Sequence, residues 1–284
     1  MKVGTARFQG STRAFAMDAA GTRYFSVADV GELLATPNWH DLTSVIGDSP
    51  DDSDLTLPIL KPGKIICAGL NYHEHAAEVG KTPPDVPTLF SKVATTLVAN
   101  NEPIMLPTLS DEIDWECELA IVIGTSVRNA DDASARAAIF GYTILNDISA
   151  RDWQRRTSEW FQGKNFDSTA PFGPIIVTAD EFDPTEAFAI ECRVDAEIRQ
   201  QGLTSDMIFS PVDLVKYVSQ FLTLEPGDVI ATGTPAGVGS GRKPPLYLSE
   251  GEIVTSYIEG IGTLTNTCLA EAVSATRIEV KEHR

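Results

Sequence analysis

Cysteine is scarce in this sequence, and the four present (Cys67, Cys117, Cys192 and Cys268) are scattered with no CxxC pair. That spacing argues against a disulfide framework or a zinc site and suits a reducing compartment. Long apolar runs are missing as well. The longest stretches, such as Leu119 to Ile123, are strand-sized and far short of a membrane span. The opening residues MKVGTARFQGSTRAFAMD carry polar side chains throughout and lack the apolar block of a signal peptide, so a cytoplasmic location is expected. Positive charge is in deficit: 22 Lys and Arg stand against 40 Asp and Glu, a formal net charge of −18. Such a surface repels phosphate backbones and anionic membranes, which argues against both as partners. A small anionic substrate stays open, because a bound cation can reverse the local field.

What is there is an ordinary globular balance, 43% hydrophobic and 22% charged over 284 residues, long enough to bury a core without staples. Short strand-like pieces (Lys2 to Phe8, Thr22 to Val27) and a helix starting near Asp29 precede DSPDDSD, residues 48–54, whose composition makes it the linker candidate. From Leu57 onward β-branched segments flanked by Gly, Pro or Asp recur: KIICAGLN, ELAIVIG, FGYTILND, PIIVT, AIECRVDAEI, DVIATGT and IVTSYIEGIGTL. Helical patterns lie between them at His73 to Val79, Ala133 to Ile139, Ala150 to Phe161 and Pro211 to Leu222. The expected class is β-rich α+β, divided into a small N-terminal α/β element with its acidic linker (1–57), a main domain (58–275) and a tail (276–284).

Chemistry concentrates in a few places. In DWECELAIVIG, strand alternation puts Asp114, Glu116 and Glu118 on one face, with Glu116 and Glu118 roughly 6–7 Å apart. Carboxylates so crowded repel one another on burial unless a cation or protons compensate. Asp147 follows the strand-like FGYTILND at the entry to a helix whose start resembles a capping box, Ser149 to Asp152. A set of three carboxylates favours Mg²⁺ or Mn²⁺, with Ca²⁺ as a third candidate, over zinc. By spacing alone a solvated sheet face and a turn aspartate are the commoner readings of these residues. His75 and Glu78, three apart on one helix face, would make an oriented general base or a plain surface pair. Lys164, in the apolar and Gly-rich QGKNFDSTAPFGP, could hold a substrate oxyanion. The loop GTPAGVGSG (233–241) could grip an anionic group through backbone amides and the Thr234 hydroxyl, yet it matches neither a Walker loop nor GxGxxG.

Taken in order, AGLNYHEHAAE, DWECELAIVIG, NDISARDWQ, GKNFD and ATGTPAGVG resemble the fumarylacetoacetate hydrolase superfamily over roughly residues 60–270. The resemblance implies a mixed β-roll catalytic fold, a Mg²⁺- or Mn²⁺-dependent site and a homodimer. It assigns metal ligation to Glu116, Glu118 and Asp147, a His–Glu dyad on a lid to His75 and Glu78, and substrate contacts to Gln154, Lys164 and Thr234. The stretch Arg155 to Phe161 shows no counterpart to the hydrolase's aromatic contact. The implied activity is hydrolytic cleavage of a C–C bond in a small 1,3-diketo acid of the acylpyruvate or fumarylpyruvate type. A lid over residues 72–86, framed by the three prolines of TPPDVP, would close on it. The same residues would also serve decarboxylation of oxaloacetate, or isomerisation, hydration or lysis of an unsaturated 2-oxo acid. A non-catalytic Ca²⁺-binding protein is the reading from another class.

Overall fold

The computed structural model describes residues 1–272; the expected tail at 276–284 lies outside them. Two large sheets organise the chain. The first has eleven strands. Ten run in the order Ser44–Gly47, Gly21–Phe25, Ser11–Asp18, Lys2–Phe8, Ala170–Thr178, Ile139–Asn146, Cys117–Ile123, Val229–Ala231, Ile65–Gly69 and Thr88–Lys92, while Leu97–Val98 pairs with Ala170–Thr178 off this path. The second has five: Glu197–Leu203, Ala189–Val194, Ile253–Ile258, Gly262–Ala270 and Ile104–Leu106. Most pairs are antiparallel, but Val229–Ala231 runs parallel to Ile65–Gly69, so the large sheet is mixed. This is the β-rich α+β roll that the sequence implied.

Strand Cys117–Ile123 is buried at every residue. Cys117, Leu119, Ile121 and Ile123 enter one apolar cluster, while Ala120 and Val122 enter another on the opposite face. A run of branched apolar residues without polar alternation is what a strand covered on both sides requires. Each fully buried Ile or Leu contributes about 1.5–3 kcal/mol. Across the sheets, the Asn146 side chain donates to Ser256 Oγ at 2.9 Å, tying the strand that precedes Asp147 to the second sheet.

Hydrogen bonds run across the acidic stretch 48–54. Lys2–Phe8 pairs with Ala170–Thr178, which puts the N-terminal strands in the same sheet as the main domain. Strand Ser11–Asp18 has no counterpart in the sequence reading. Asp29 caps the short helix Val30–Ala35 by accepting from Glu32 N at 2.8 Å. The helix expected from Ala150 to Phe161 is instead two short turns, Arg151–Gln154 and Phe161–Lys164. Between them the Thr157 hydroxyl donates to the Glu159 carbonyl, and Arg155 pairs with Glu112. Such local side-chain-to-backbone bonds compete with the helix. The capping box at Ser149 is not formed: its hydroxyl donates to the Asp147 carbonyl, and Asp152 accepts from Ser110. No helix among the described residues is long and apolar enough to cross a membrane.

Candidate active site

The site lies where four neighbouring strands end together. Cys117 pairs with Asn146 across the antiparallel ladder, which brings Glu116 and Glu118 beside Asp147. The backbone finishes the alignment: Asp147 N donates to Glu116 O at 2.8 Å, and Glu116 N donates to the Asn146 side chain at 2.9 Å. One carboxylate oxygen from each of Glu116, Glu118 and Asp147 lies within 4.8 Å of the others, and all three residues are buried. Metal–oxygen bonds of about 2.0–2.6 Å leave ligand oxygens at such separations, and an all-oxygen set suits a hard divalent cation. Asp114 falls outside this trio. A break in the strand after Asp114 sends its carboxylate to Gly239 N, Ser240 N and Arg151 Nε at 2.7, 2.9 and 2.8 Å.

Three buried cations surround the trio. Lys164 Nζ reaches Glu116 at 2.6 Å and Asp147 at 2.7 Å. Lys92 bonds the other Asp147 oxygen at 2.9 Å and also donates to the Lys164 carbonyl. Arg151 forms an ion pair with Glu116 at 2.7 Å. Four buried carboxylates thus face three cations, and Glu118 has no cationic side chain in ion-pair range among the described residues; it accepts only from Gly233 N at 2.8 Å. Burial, and then repulsion from Asp147 and Glu116, push its pKa well above the carboxylate range. Burial also acts upward on Glu116, but Arg151 and Lys164 outweigh it and bring that group down to about 2. Burial works against the charge on Lys164, yet the Asp147 and Glu116 carboxylates overcome it and raise its pKa. A divalent cation at the trio would supply the positive charge that Glu118 lacks, so the donor set fits one.

His75 and Glu78 sit on the short helix His73–Glu78, with Nδ1 2.9 Å from the Glu78 carboxylate. Nε2 makes no hydrogen bond among the described residues. His75, Glu116, Glu118, Gln154, Lys164 and Thr234 all line one cavity of about 530 Å³. The Thr234 hydroxyl is already engaged, donating to Cys117 O at 2.9 Å and accepting from Gln200 at 2.7 Å. Gln154 uses its oxygen on Arg151 at 3.1 Å, and its amide has no partner among the described residues. The glycine-rich loop does grip anionic groups, but they belong to the protein: its amides hold Glu118, Glu78 and Asp114. Lys92, Arg151 and the apolar wall were missing from the sequence reading. That wall includes Phe90 and Trp160, edge to face at 5.4 Å, and Trp160 belongs to the stretch in which no aromatic contact was found. A Cβ on Gly69 would overlap the Trp160 ring, a fit no sequence spacing reveals.

The sequence of residues 64–269 matches the model of the fumarylacetoacetate hydrolase C-terminal domain. The chain belongs to the fumarylacetoacetate hydrolase family. It is 44% identical to human mitochondrial oxaloacetate tautomerase FAHD2A over 211 residues, 74% of this chain and 67% of the relative. Among solved structures, fumarylacetoacetate hydrolase from the psychrophile Exiguobacterium antarcticum superposes with a TM-score of 0.82 at 36% identity, over 95% of this chain and all of that one. The 2-hydroxyhepta-2,4-diene-1,7-dioate isomerase of Mycobacterium marinum gives 0.76 at 34% identity, over 96% of this chain and all of that one. Members of the fumarylacetoacetate hydrolase family are enzymes, and this chain keeps a carboxylate trio that could hold a metal ion.

Proposed function

We propose that the protein is a divalent-cation-dependent enzyme that moves a proton at the carbon beside the 2-oxo group of a small 2-oxo acid. Enol–keto interconversion of oxaloacetate is its first candidate reaction. One observation carries this reading: His75, held by Glu78, lines the same cavity as Glu116 and Glu118 of the carboxylate trio. Mg²⁺ or Mn²⁺, held by Glu116, Glu118 and Asp147, would supply Lewis acidity to the substrate's carboxylate and 2-oxo oxygen. With Nδ1–H directed at Glu78, His75 Nε2 keeps its lone pair to take the proton and return it. Lys164 has a third N–H beyond the two it gives to Glu116 and Asp147. That N–H and the Gln154 amide steady the oxygen on which negative charge develops. The name of the human relative, an oxaloacetate tautomerase, supports the choice of substrate.

Hydrolytic C–C cleavage of an acylpyruvate or fumarylpyruvate is the second reading. It is favoured by a cavity of about 530 Å³, which has room for more than a four-carbon acid. Decarboxylation and isomerisation would use the same residues. A non-catalytic Ca²⁺-binding role would leave the His75–Glu78 pair idle. The homodimer belongs to the same proposal, as does a reducing compartment, which suits four free, buried cysteines whether cytosolic or, as the human relative's name suggests, mitochondrial. The test is a substrate panel of enol-oxaloacetate, acetylpyruvate and fumarylpyruvate with Mg²⁺ or Mn²⁺, with and without chelator. Chelator-sensitive turnover fastest on enol-oxaloacetate is expected. Faster C–C cleavage of a diketo acid would transfer the assignment to hydrolysis, and no chelator-sensitive turnover on any would overturn both readings.

A further inference from the structure

Glu78 has two partners. Its Oε2 faces His75 Nδ1 at 2.9 Å, and its Oε1 accepts from Gly237 N, also at 2.9 Å. The loop that carries Gly237 is fixed two residues on, where Gly239 N and Ser240 N both donate to the fully buried Asp114 carboxylate. Asp114 is in turn held by Arg151, which pairs with Glu116. A continuous path of hydrogen bonds and loop backbone therefore joins the proton-transfer pair to the carboxylate trio. At the end of the loop, Gly241 lies so close that a Cβ there would sit 2.9 Å from Glu78 Cδ and 3.0 Å from Oε1.

We infer that the segment Gly237–Gly241 is a latch that positions Glu78, and through it selects the Nδ1–H tautomer of His75 with Nε2 open to the cavity. The inference rests on His75 acting as the proton-transfer group of the proposed function. Helix His73–Glu78 is a single short element followed by an exposed segment, so its own turn cannot fix the Glu78 carboxylate. A carboxylate with one partner swings about its terminal torsion, which is broad and two-fold. The second contact, from Gly237 N, removes that freedom. Val238 and Ser240 line the cavity but Gly237 and Gly241 do not, so the two glycines are positioning residues.

Gly241→Ala tests this without altering any ionisable group, because Gly241 does not have the positive φ that would strain an alanine. The chain has only four histidines, so the His75 ring can be followed by ¹⁵N NMR and assigned with His75→Ala. The wild-type ring is expected in the Nδ1–H form, and Gly241→Ala is expected to move it to the same tautomer mixture that Glu78→Gln should give. In the activity assay kcat should fall about 10- to 100-fold, as displacements of roughly 1 Å cost in catalytic geometry. KM should stay within about twofold, since the interaction lost is one that acts only in the reaction step. Gly241→Ala should also add nothing in a Glu78→Gln background, whereas a merely structural disturbance would multiply with it. If Gly241→Ala does not fold, Glu78→Asp replaces it: one carbon shorter, its carboxylate cannot keep both 2.9 Å contacts, to His75 and to Gly237, and the same tautomer mixture is expected. An unchanged wild-type tautomer in a folded variant, or multiplicative effects in the double variant, overturns the latch. The NMR result needs no substrate, so a wrong substrate assignment would leave it standing.

Discussion

Replacing Glu118 by Gln should make the protein more stable without metal and less stable with it. Glu118 is 2% exposed and among the described residues meets only the Gly233 amide, while burial, Asp147 and Glu116 all disfavour its charge. Its folded pKa is raised above the ordinary 4.5, so the protonated form is favoured, and the penalty grows as pH climbs from there through the raised value. An uncompensated buried carboxylate costs several kcal/mol, and the amide's own desolvation cancels part of the relief, leaving a gain of about 2 kcal/mol at alkaline pH. For a chain of this size that is a rise in Tm of about 3–4 °C in chelator. With Mn²⁺ at about a hundred times its Kd, the wild type should gain about 2.7 kcal/mol. The variant, short of one of three ligands, should gain almost nothing. Thermal melts of both proteins in chelator and in Mn²⁺ would show the order of Tm values reversing. A variant less stable than wild type in chelator, or equally stabilised by Mn²⁺, would refute the reasoning.

His75→Ala should keep the fold and bind Mn²⁺ with unchanged affinity by calorimetry, while kcat falls by about 10²–10⁴. Glu116 contributes stability that is full above its ordinary 4.5 and lost as pH falls toward about 2, because Arg151 and Lys164 hold its pKa down against burial. Arg151→Gln should shrink that window, so urea-unfolding stability of the variant changes less between about pH 5 and about pH 3 than in wild type. Gly69→Ala would drive a methyl into the Trp160 ring and should cost about 1–3 kcal/mol, with a changed tryptophan emission that reports the displaced ring.

Strands announced by dense β-branched residues were legible in the sequence, as were the helices at His73–Glu78 and Pro211–Ser219. So was the trio, because side-chain alternation alone puts Glu116 and Glu118 on one face, and the motif order drew in Asp147. Lys92 and Arg151 were not. Each lies in a segment whose local pattern reads as an edge strand or a helix start, and only the fold shows that their charges point inward to Asp147, Asp114 and Glu116. The helix expected at Ala150 to Phe161 failed because periodicity ignores the local bonds of Thr157 and the place Trp160 takes over Gly69. The glycine-rich loop reads in the sequence as a grip for an anionic group, but nothing there says that its amides are taken by Asp114, Glu78 and Glu118.

The central claim is that a divalent cation on Glu116, Glu118 and Asp147 is required for the reaction that His75 carries out. Titrating metal-free protein with Mn²⁺, while recording bound Mn²⁺ by electron paramagnetic resonance and enol-oxaloacetate conversion in the same sample, tests it directly. Conversion should rise in proportion to occupancy and saturate at one Mn²⁺ per chain, with neither signal in Glu116→Ala. Full conversion at zero occupancy, or unchanged Mn²⁺ binding in Glu116→Ala, would contradict the account.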